Sequence, residues 1–188
     1  MDIWNEKLAE TGSRIMTLRE SYIERINQKA REIQNEISGG REELSLVYNP
    51  SVKSGENYLE KLTEYKEKEK ENLFCMVGVH RDDIDIFING KLAKNYASQG
   101  QIRTAVLSLK LAETEIIKEE TGEYPVMLLD DILSELDKSR REFLISKIKG
   151  KQIIITCTDI ENYFKDNVNI IEIKDGKNVS SYRWGKGN

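Results

Sequence analysis

Two short, uninterrupted apolar runs constrain the fold of this chain more than any other feature. They cover residues 125–129 and 153–155, and a stretch with helical periodicity lies between them at residues 138–148. A strand that is apolar on both sides has to be covered on both faces. Strands of this kind that alternate with helices are typical of a parallel sheet flanked by helices. The sequence therefore predicts an α/β fold.

A different pattern fills residues 1–70, where apolar residues recur mostly at three- and four-residue steps. The pattern predicts one long amphipathic helix that stops at Ser38-Gly39-Gly40. A short strand at residues 44–48 and a highly charged helix at residues 56–71 follow. We therefore expect a helical arm over residues 1–70 and an α/β lobe over residues 71–188. The stripe of the first helix consists of Leu8, Ile15, Leu18, Tyr22, Ile26, Ala30, Ile33 and Ile37.

Further elements are predicted in the second region. The Asn89-Gly90 and Asp175-Gly176 pairs stand between β-rich segments and predict two hairpin turns. Residues 101–118 carry a broad apolar face and predict a helix. The remaining predicted strands cover residues 73–79, 84–88, 168–173 and 179–182.

The composition excludes several classes of protein. The 188 residues include 29 Lys and Arg against 33 Asp and Glu, a net charge of −4, which argues against a free-standing basic DNA-binding module. No apolar run approaches the roughly 20 residues that cross a membrane, and no leader sequence is recognisable. Cys75 and Cys157 are expected to be reduced core thiols of a cytoplasmic protein. The single histidine, His80, excludes a multi-histidine metal site.

The strongest signal for chemistry is the end of the first apolar run, which continues into Asp130 and Asp131. Acids at the carboxyl end of such a strand lie where α/β sheets bind ligands. One carboxylate there can hold Mg²⁺, and its neighbour can orient an attacking water. Upstream, Ser98-Gln99-Gly100-Gln101 stands directly before a helix. A small polar residue, a glycine and the amides of a helix N-terminus can together cradle a phosphate.

The order and spacing of these motifs resemble the head of an ABC-type ATPase. The two acids continue into Leu133-Ser134-Glu135-Leu136-Asp137, which is similar to a Walker B strand followed by a D-loop. The Ser98 motif resembles the signature loop, and residues 152–158 take the place of the strand that leads to the switch loop. Closer still, residues 75–158 resemble the RecF family of bacterial recombination mediators, an ABC/SMC-like branch. The motifs that carry this resemblance are GVHRDD at residues 78–83, IFING at 86–90, SQGQIRTA at 98–105 and LSLKLAE at 107–113.

The resemblance implies roles for individual residues. Ser98 and Gly100, with Gln99 and Gln101, would contact the γ-phosphate of ATP held by the opposite subunit. Asp130 would be the Mg²⁺-associated Walker B acid, and Asp131 would orient the attacking water. Asp137 would be the D-loop acid at the dimer interface, or a helix cap. Three further candidates are His80, Arg81 and Arg103: the first two on the nucleotide or DNA side, the third across the dimer.

One large departure from the family is the absence of a P-loop, G-x-x-x-x-G-K-[ST], whose backbone wraps phosphates. Four Gly-Lys pairs occur, at residues 90, 150, 176 and 185, and none is followed by Ser or Thr. The chain therefore resembles the C-terminal half of a RecF-like protein without the P-loop lobe. Smaller departures are Val79 in place of a proline, Ala97 and Ile102 around the signature, and Thr158 or a neighbour at the switch. Asp131, one methylene shorter than the usual glutamate, predicts slow hydrolysis.

The resemblance also implies a function. It implies ATP-dependent DNA binding in replication and recombinational repair, including gap repair, RecA loading and SOS induction. ATP and Mg²⁺ would be cofactors, and an ATP-dependent homodimer would clamp double-stranded DNA or single-strand/double-strand junctions, with RecR and RecO as partners. We expect a cytoplasmic location without membrane association, and no turnover by this chain alone. Two alternatives stay open: a head fragment of another SMC-like ATPase, for which the arm is short, and a non-catalytic interaction module.

Overall fold

A computed structural model describes residues 2–158 and 168–184 of the chain. Its contacts divide the chain into two compact units, Met1–Gly122 and Glu123–Asn188. The first unit contains α1 (Asp2–Ser38), β1 (Leu44–Asn49), α2 (Tyr58–Asn72), a 3-10 turn (Val79–Arg81), β2 (Asp83–Ile88), β3 (Lys91–Leu92), α3 (Ala93–Tyr96) and α4 (Gln99–Thr121). The second contains β4 (Met127–Asp130), α5 (Lys138–Ile148), β5 (Ile153–Thr156), β6 (Val168–Lys174) and β7 (Lys177–Trp184).

The long N-terminal helix is confirmed. It has 37 residues, which corresponds to a length of about 55 Å. It ends where the glycine pair predicts, because Gly39 and Gly40 have φ angles of 63° and 78°, a conformation that favours glycine. The Gly40 N–H returns to Asn35 O at 2.8 Å and closes the last turn.

The C-terminal half of α1 packs along α4. A buried polar link lies in this region: the Ser108 hydroxyl donates to Gln34 Oε1, and the Gln34 amide donates to Glu42, both at 2.7 Å. Because its amide is paired on both sides, Gln34 is fully buried without an unsatisfied polar atom. The apolar side chains that α1 buries are Ile23, Ala30, Ile33 and Ile37.

The two helices run antiparallel, and α4 is shorter. The last turn of α4 lies beside residues 25–29 of α1, where Arg25 pairs with Glu120 at 2.6 Å and Lys29 pairs with Glu119. Beyond this point the apolar stripe of α1 continues, but Leu8 and Leu18 are exposed. The stripe is therefore covered by α4 only in its C-terminal part.

A three-stranded antiparallel sheet, in the order β1-β2-β3, packs against α1. The predicted Asn89-Gly90 turn is confirmed, with φ angles of 52° and 73° that are typical of a type I′ hairpin. The sheet is tied to α1 where the Leu46 N–H donates to Asn27 Oδ1 at 2.9 Å. Because β1 precedes residue 70 and β2 follows it, the contacts divide the chain at Gly122 rather than at the predicted boundary near residue 70.

The predicted strand at residues 73–79 is wrong. Leu73 ends α2 in the left-handed conformation and is 90% exposed. The following loop satisfies its backbone through a side chain, because the Glu69 carboxylate accepts from the N–H groups of Met76 and Val77. Cys75 lies in this loop and is exposed, and Cys157 is half-buried, so the predicted place of both thiols in the core is wrong.

The second unit contains the two predicted apolar strands. β4 and β5 pair in parallel, with α5 between them in sequence, as expected. Only alternate residues of β4 are buried, and Leu128 is 72% exposed, so the expected burial on both faces is wrong for these strands. The predicted terminal hairpin is confirmed as β6 and β7, which pair around Asp175-Gly176. Among the described residues, no helix is both long and apolar enough to cross a membrane.

Helix α2 approaches α1 closely at Gly12. A Cβ atom on Gly12 would lie 2.6 Å from the Tyr58 Cζ atom, well inside van der Waals contact. Tyr58 is buried in a cluster with Val52, Leu62 and Val77, so its ring has little room to move. The absence of a side chain at residue 12 therefore permits this helix contact.

We predict that the effect of Gly12→Ala on the free energy of unfolding changes sign when the Tyr58 ring is removed. Alanine favours a helix over glycine by about 1 kcal/mol, but the clash with Tyr58 costs about 1–3 kcal/mol. We expect net destabilisation in the wild type and stabilisation by about 1 kcal/mol in a Tyr58→Leu background, which lacks the clashing ring atoms. Urea unfolding followed by circular dichroism measures both, with Ser13→Ala as the control on the exposed side. Equal effects in both backgrounds would contradict this packing.

A buried carboxylate joins three segments of the first unit. The Asp82 side chain is 2% exposed and receives hydrogen bonds from Arg19 at 2.8 Å, from the Ser51 N–H at 2.9 Å and from the Tyr48 hydroxyl. Burial alone would raise the pKa of Asp82, but the three donors outweigh it and hold the pKa below its ordinary value. The same burial and the Asp82 charge raise the pKa of Tyr48 to about 12.

We predict that Asp82→Asn destabilises the chain in a pH-dependent way. A lowered carboxyl pKa contributes stability above the unfolded-state pKa of about 4, and that stability is lost as the pH falls through the folded-state pKa. At pH 7 we expect a loss of about 1–3 kcal/mol, which shrinks below about pH 4. Urea titrations from pH 7 to pH 3 measure this, with the exposed neighbour Asp83→Asn as control. If the difference in free energy of unfolding between the wild type and Asp82→Asn did not vary with pH, this would argue against a charged Asp82.

Candidate functional site

The carboxyl ends of β4 and β5 bring a carboxylate and a hydroxyl together. The parallel register places Asp130 opposite Thr156. The Thr156 hydroxyl donates to Asp130 Oδ1. Both side chains lie at the exposed end of the strand pair, which is the edge where α/β sheets bind ligands. The bond fixes one Asp130 oxygen and leaves the other free to accept a further ligand.

Asp131 has an unusual backbone. Its φ angle is +46°, which a non-glycine residue adopts at a cost of about 1 kcal/mol or more. The surrounding bonds hold it there: its N–H lies 3.0 Å from Thr156 Oγ1 and 3.2 Å from Thr156 O, and its carbonyl accepts from the Ser134 hydroxyl at 2.9 Å. The chain thus turns sharply after Asp130, and the exposed Asp131 side chain follows a different path from the strand.

Thr156 is the residue that the sequence analysis missed. It contacts both Asp130 and Asp131, whereas the sequence pointed to Thr158 or a neighbour at the switch position. A signal was present in the sequence. Two apolar runs in a parallel pair that each end in a polar residue place those polar residues side by side.

Asp137 begins α5 as its N-cap. Its Oδ1 atom accepts from the Arg140 N–H at 3.0 Å and from the Ser139 hydroxyl at 2.8 Å. These two donors, the Arg140 N–H first, lower the pKa of Asp137. The capping role that the sequence allowed is therefore present. The proposed D-loop role at a dimer interface stays a prediction.

Ser98 begins α4 in the same manner. Its hydroxyl oxygen accepts from the Gln101 N–H at 3.3 Å, and Gln101 Oε1 accepts from the Ser98 N–H at 2.9 Å, which together form a capping box. Capping uses one lone pair of the Ser98 oxygen and leaves its O–H free to donate. Gln99 and Ser98 are exposed, and Gly100 is half-buried at the first turn.

Residues 98–101 at the start of α4 are anchored from the inner side of the helix. The buried Thr104 hydroxyl donates to the Gly100 carbonyl at 2.7 Å, so the helix backbone is held one turn after the cap. Arg103 is half-buried on the adjacent face of α4. Its predicted role across a dimer stays a prediction.

His80 and Arg81 stabilise the loop that replaces the predicted strand. The Arg81 Nε–H donates to the Cys75 carbonyl at 2.7 Å, and its guanidinium lies 5.0 Å from the centre of the Phe74 ring. The His80 ring packs on Gly78, where a Cβ atom would lie 2.8 Å from it. These contacts give both residues a structural role, and their predicted role at a nucleotide or DNA surface stays a prediction.

The structure therefore groups the predicted acids and phosphate-contact residues in two places, and His80 and Arg81 lie apart from both, in the 3-10 turn before β2. Asp130 and Asp131 share a site with Thr156 in the second unit. Asp137 lies at the end of the loop that connects β4 to α5. Ser98 and its neighbours form the start of α4 in the first unit. Among the described residues, no group of three or more His, Cys, Asp and Glu side chains converges as a metal site would require.

The sequence is similar to curated bacterial proteins named DNA replication and repair protein RecF. The relative from Clostridium tetani is 40% identical over 190 residues, 95% of this chain and 52% of the relative. The relatives from Clostridium acetobutylicum and Acetivibrio thermocellus are both 42% identical. The first match covers 94% of this chain and 51% of the relative, and the second covers 90% of this chain and 50% of the relative. The chain spans about half the length of the curated relatives it matches. No family model matches it.

Solved structures give the same result. The recombination mediator protein RecF with ATP, in the RecFOR pathway, superimposes with a TM-score of 0.81 and 38% identity, over 97% of this chain and 49% of its own. An Smc head bound to the C-winged helix domain of ScpA superimposes with a TM-score of 0.54 at 17% identity, over 97% of this chain and 49% of its own. The second likeness concerns the fold alone, which the chain shares with an Smc head. By sequence and by fold, the chain is similar to the C-terminal half of RecF proteins.

Proposed function

We propose that this chain is the part of a RecF-type DNA replication and repair protein that supplies the Walker B acid and the signature serine of an ATP-operated switch. The observation that carries the proposal is the Asp130–Thr156 pair at the ends of two parallel strands, followed by Asp131 in a constrained backbone. Relatives about 40% identical are named DNA replication and repair protein RecF, and one of the similar solved structures is RecF with ATP.

The residues at the end of β4 fit a magnesium ion of the kind that accompanies nucleotides. Such an ion is usually held by one or two carboxylates together with phosphate and water oxygens, so that a converging cluster of acids is not required. Asp130 offers one exposed carboxylate whose orientation is set by the Thr156 hydroxyl. When bound, the ion would neutralise phosphate charge.

Asp131 and Ser98 take the other proposed roles. Asp131 directly follows the proposed Walker B acid in the sequence. Because the backbone turns at Asp131, its carboxylate leaves the direction of the strand, and there it can accept a hydrogen bond from a water. Ser98 presents a free O–H at the N-terminus of a 23-residue helix, and helix N-termini favour anions such as a γ-phosphate. Gln99, Gly100 and Gln101 would add first-turn amides to the same contact.

In the proposed switch, two heads close on ATP that is held between the P-loop of one subunit and Ser98 of the other. ATP binding favours the closed dimer, and hydrolysis returns the open one. The closed dimer would hold double-stranded DNA or a single-strand/double-strand junction, with RecR and RecO as partners. The chain contains no P-loop sequence, so we propose that it contributes to the ATP site only together with the complementary half of the protein.

We predict that Asp130→Asn weakens Mg²⁺-dependent nucleotide binding at least tenfold. The test uses a full-length chimaera in which residues 1–188 replace the matching half of the Clostridium tetani relative, and a fluorescent ATP analogue. Glu142→Gln, an exposed acid on α5, is the matched control and should leave binding unchanged. Tight binding by the isolated chain, or equal binding by Asp130→Asn, would contradict the proposal and favour an interaction module.

We predict that Ser98→Asp separates capping from nucleotide contact. Aspartate is as good an N-cap as serine, so stability should change by less than about 0.5 kcal/mol. Its negative charge and its lack of a donor should abolish ATP-dependent dimerisation, because both oppose contact with a phosphate. Thermal unfolding and light scattering of the chimaera, with and without ATP, measure the two effects. If Ser98→Asp dimerises normally, Ser98 only caps the helix.

A further inference from the structure

A single hydroxyl proton limits what the Thr156 side chain can do. The Asp131 N–H lies 3.0 Å from Thr156 Oγ1, and a backbone N–H can only donate, so the Thr156 oxygen is the acceptor in this contact. The hydroxyl gives its one proton to Asp130 Oδ1. The hydrogen bonds therefore run in one direction, from the Asp131 backbone through Thr156 to the Asp130 carboxylate. In this arrangement Thr156 has no proton left for a phosphate or a water.

This series of hydrogen bonds makes the two carboxylate oxygens of Asp130 unequal. Oδ1 already accepts from the Thr156 hydroxyl, whose proton places a positive partial charge beside that oxygen. A cation at Oδ1 would be repelled by the same proton. Oδ2 accepts no hydrogen bond from the residues that the structure describes, and the Asp130 side chain is exposed. Oδ2 is therefore the stronger metal ligand of the two.

Divalent cations differ in how they use a carboxylate. Mg²⁺ is small, requires nearly octahedral geometry and is usually bound through one or two carboxylates, with water and phosphate oxygens as the other ligands. Ca²⁺ is larger, takes more oxygen ligands and often binds both oxygens of one carboxylate. A carboxylate with only one strong oxygen therefore suits Mg²⁺ better than Ca²⁺.

We propose that Thr156 is a positioning residue that determines which divalent cation the nucleotide site accepts. By occupying Oδ1, it restricts Asp130 to coordination through Oδ2 alone, which favours Mg²⁺ and disfavours Ca²⁺. The inference rests on the proposed function, because it takes Asp130 as the acid that holds the ion. It goes beyond that function by assigning the choice of ion to a side chain of β5 that contacts neither the metal nor the nucleotide.

The Thr156 hydroxyl can be removed while the strand pair is kept. Valine has the shape of threonine and is equally suited to a β-strand. In Thr156→Val the Asp131 N–H retains an acceptor, because the carbonyl oxygen of residue 156 lies 3.2 Å from it and does not depend on the side chain. Asp130 alone loses its partner, so both of its oxygens become available to a cation.

The test measures binding of the fluorescent ATP analogue to the Clostridium tetani chimaera, titrated with Mg²⁺ and separately with Ca²⁺. Loss of a group that orients a metal ligand lowers metal affinity substantially, so Thr156→Val should weaken Mg²⁺-supported binding about tenfold. Ca²⁺-supported binding should stay unchanged or strengthen, so the ratio of the Mg²⁺ to the Ca²⁺ affinity should fall about tenfold or more. Ser146→Ala, which removes an exposed hydroxyl on α5, is the matched control and should change neither affinity. The same titrations on co-expressed halves serve if the chimaera does not fold.

Two further variants separate the hydroxyl from the shape of the side chain. Thr156→Ser keeps the donor and should retain the wild-type ratio, whereas Thr156→Ala should give the same lowered ratio as Thr156→Val. Equal weakening with both ions, an unchanged ratio in Thr156→Val, or a lowered ratio in Thr156→Ser would overturn the proposal. If Asp130→Asn left metal-dependent binding unchanged, the proposed function would fail as well. If Asp130→Asn weakened binding while Thr156→Val kept the wild-type ratio, only the inference about Thr156 would fail.

Discussion

The packing of α4 along α1 is the interaction on which the first unit depends. It joins the longest described helix to the helix that begins at Ser98, and it contains the buried Gln34–Ser108 link. A fully buried amide with both groups paired tolerates little sliding, because a shift along the helix would leave polar atoms without partners. The register of α4, and with it the place of the Ser98 cap, is therefore set by contacts well inside the unit.

The ends of β4 and β5 obey a second constraint, which is local. Parallel pairing aligns Asp130 with Thr156, and the Thr156 side chain and carbonyl then both accept from the Asp131 N–H. Those bonds hold Asp131 at a positive φ angle that an aspartate adopts more readily than most residues. Strain of this kind persists only where its surroundings over-determine it, and such places are often functional. Asp130 and Asp131 are thus both oriented by one threonine.

Elements with strong local signals could be predicted from the sequence, and elements that depend on distant partners could not. Gly39-Gly40, Asn89-Gly90 and Asp175-Gly176 mark their turns because few other residues adopt positive φ angles. The run at residues 73–79 has the composition of a strand, but Glu69 and Gly78 give its backbone another arrangement that no local pattern reveals. Thr156 was missed although both strands were predicted, because its partner lies 26 residues earlier and only the register of the parallel pair brings the two together.

Ser98, proposed to contact a phosphate, and Asp137, predicted to face a partner subunit, are both helix caps. Ser98 and Asp137 each begin a helix, so the backbone that fixes them is the most regular part of their surroundings. A cap side chain is held by its own helix, which lowers the entropy that ligand binding would otherwise remove. Substituting such a residue by alanine removes the cap and the contact together. Only replacements that keep the cap, as aspartate does at Ser98, can therefore distinguish helix stability from a switch.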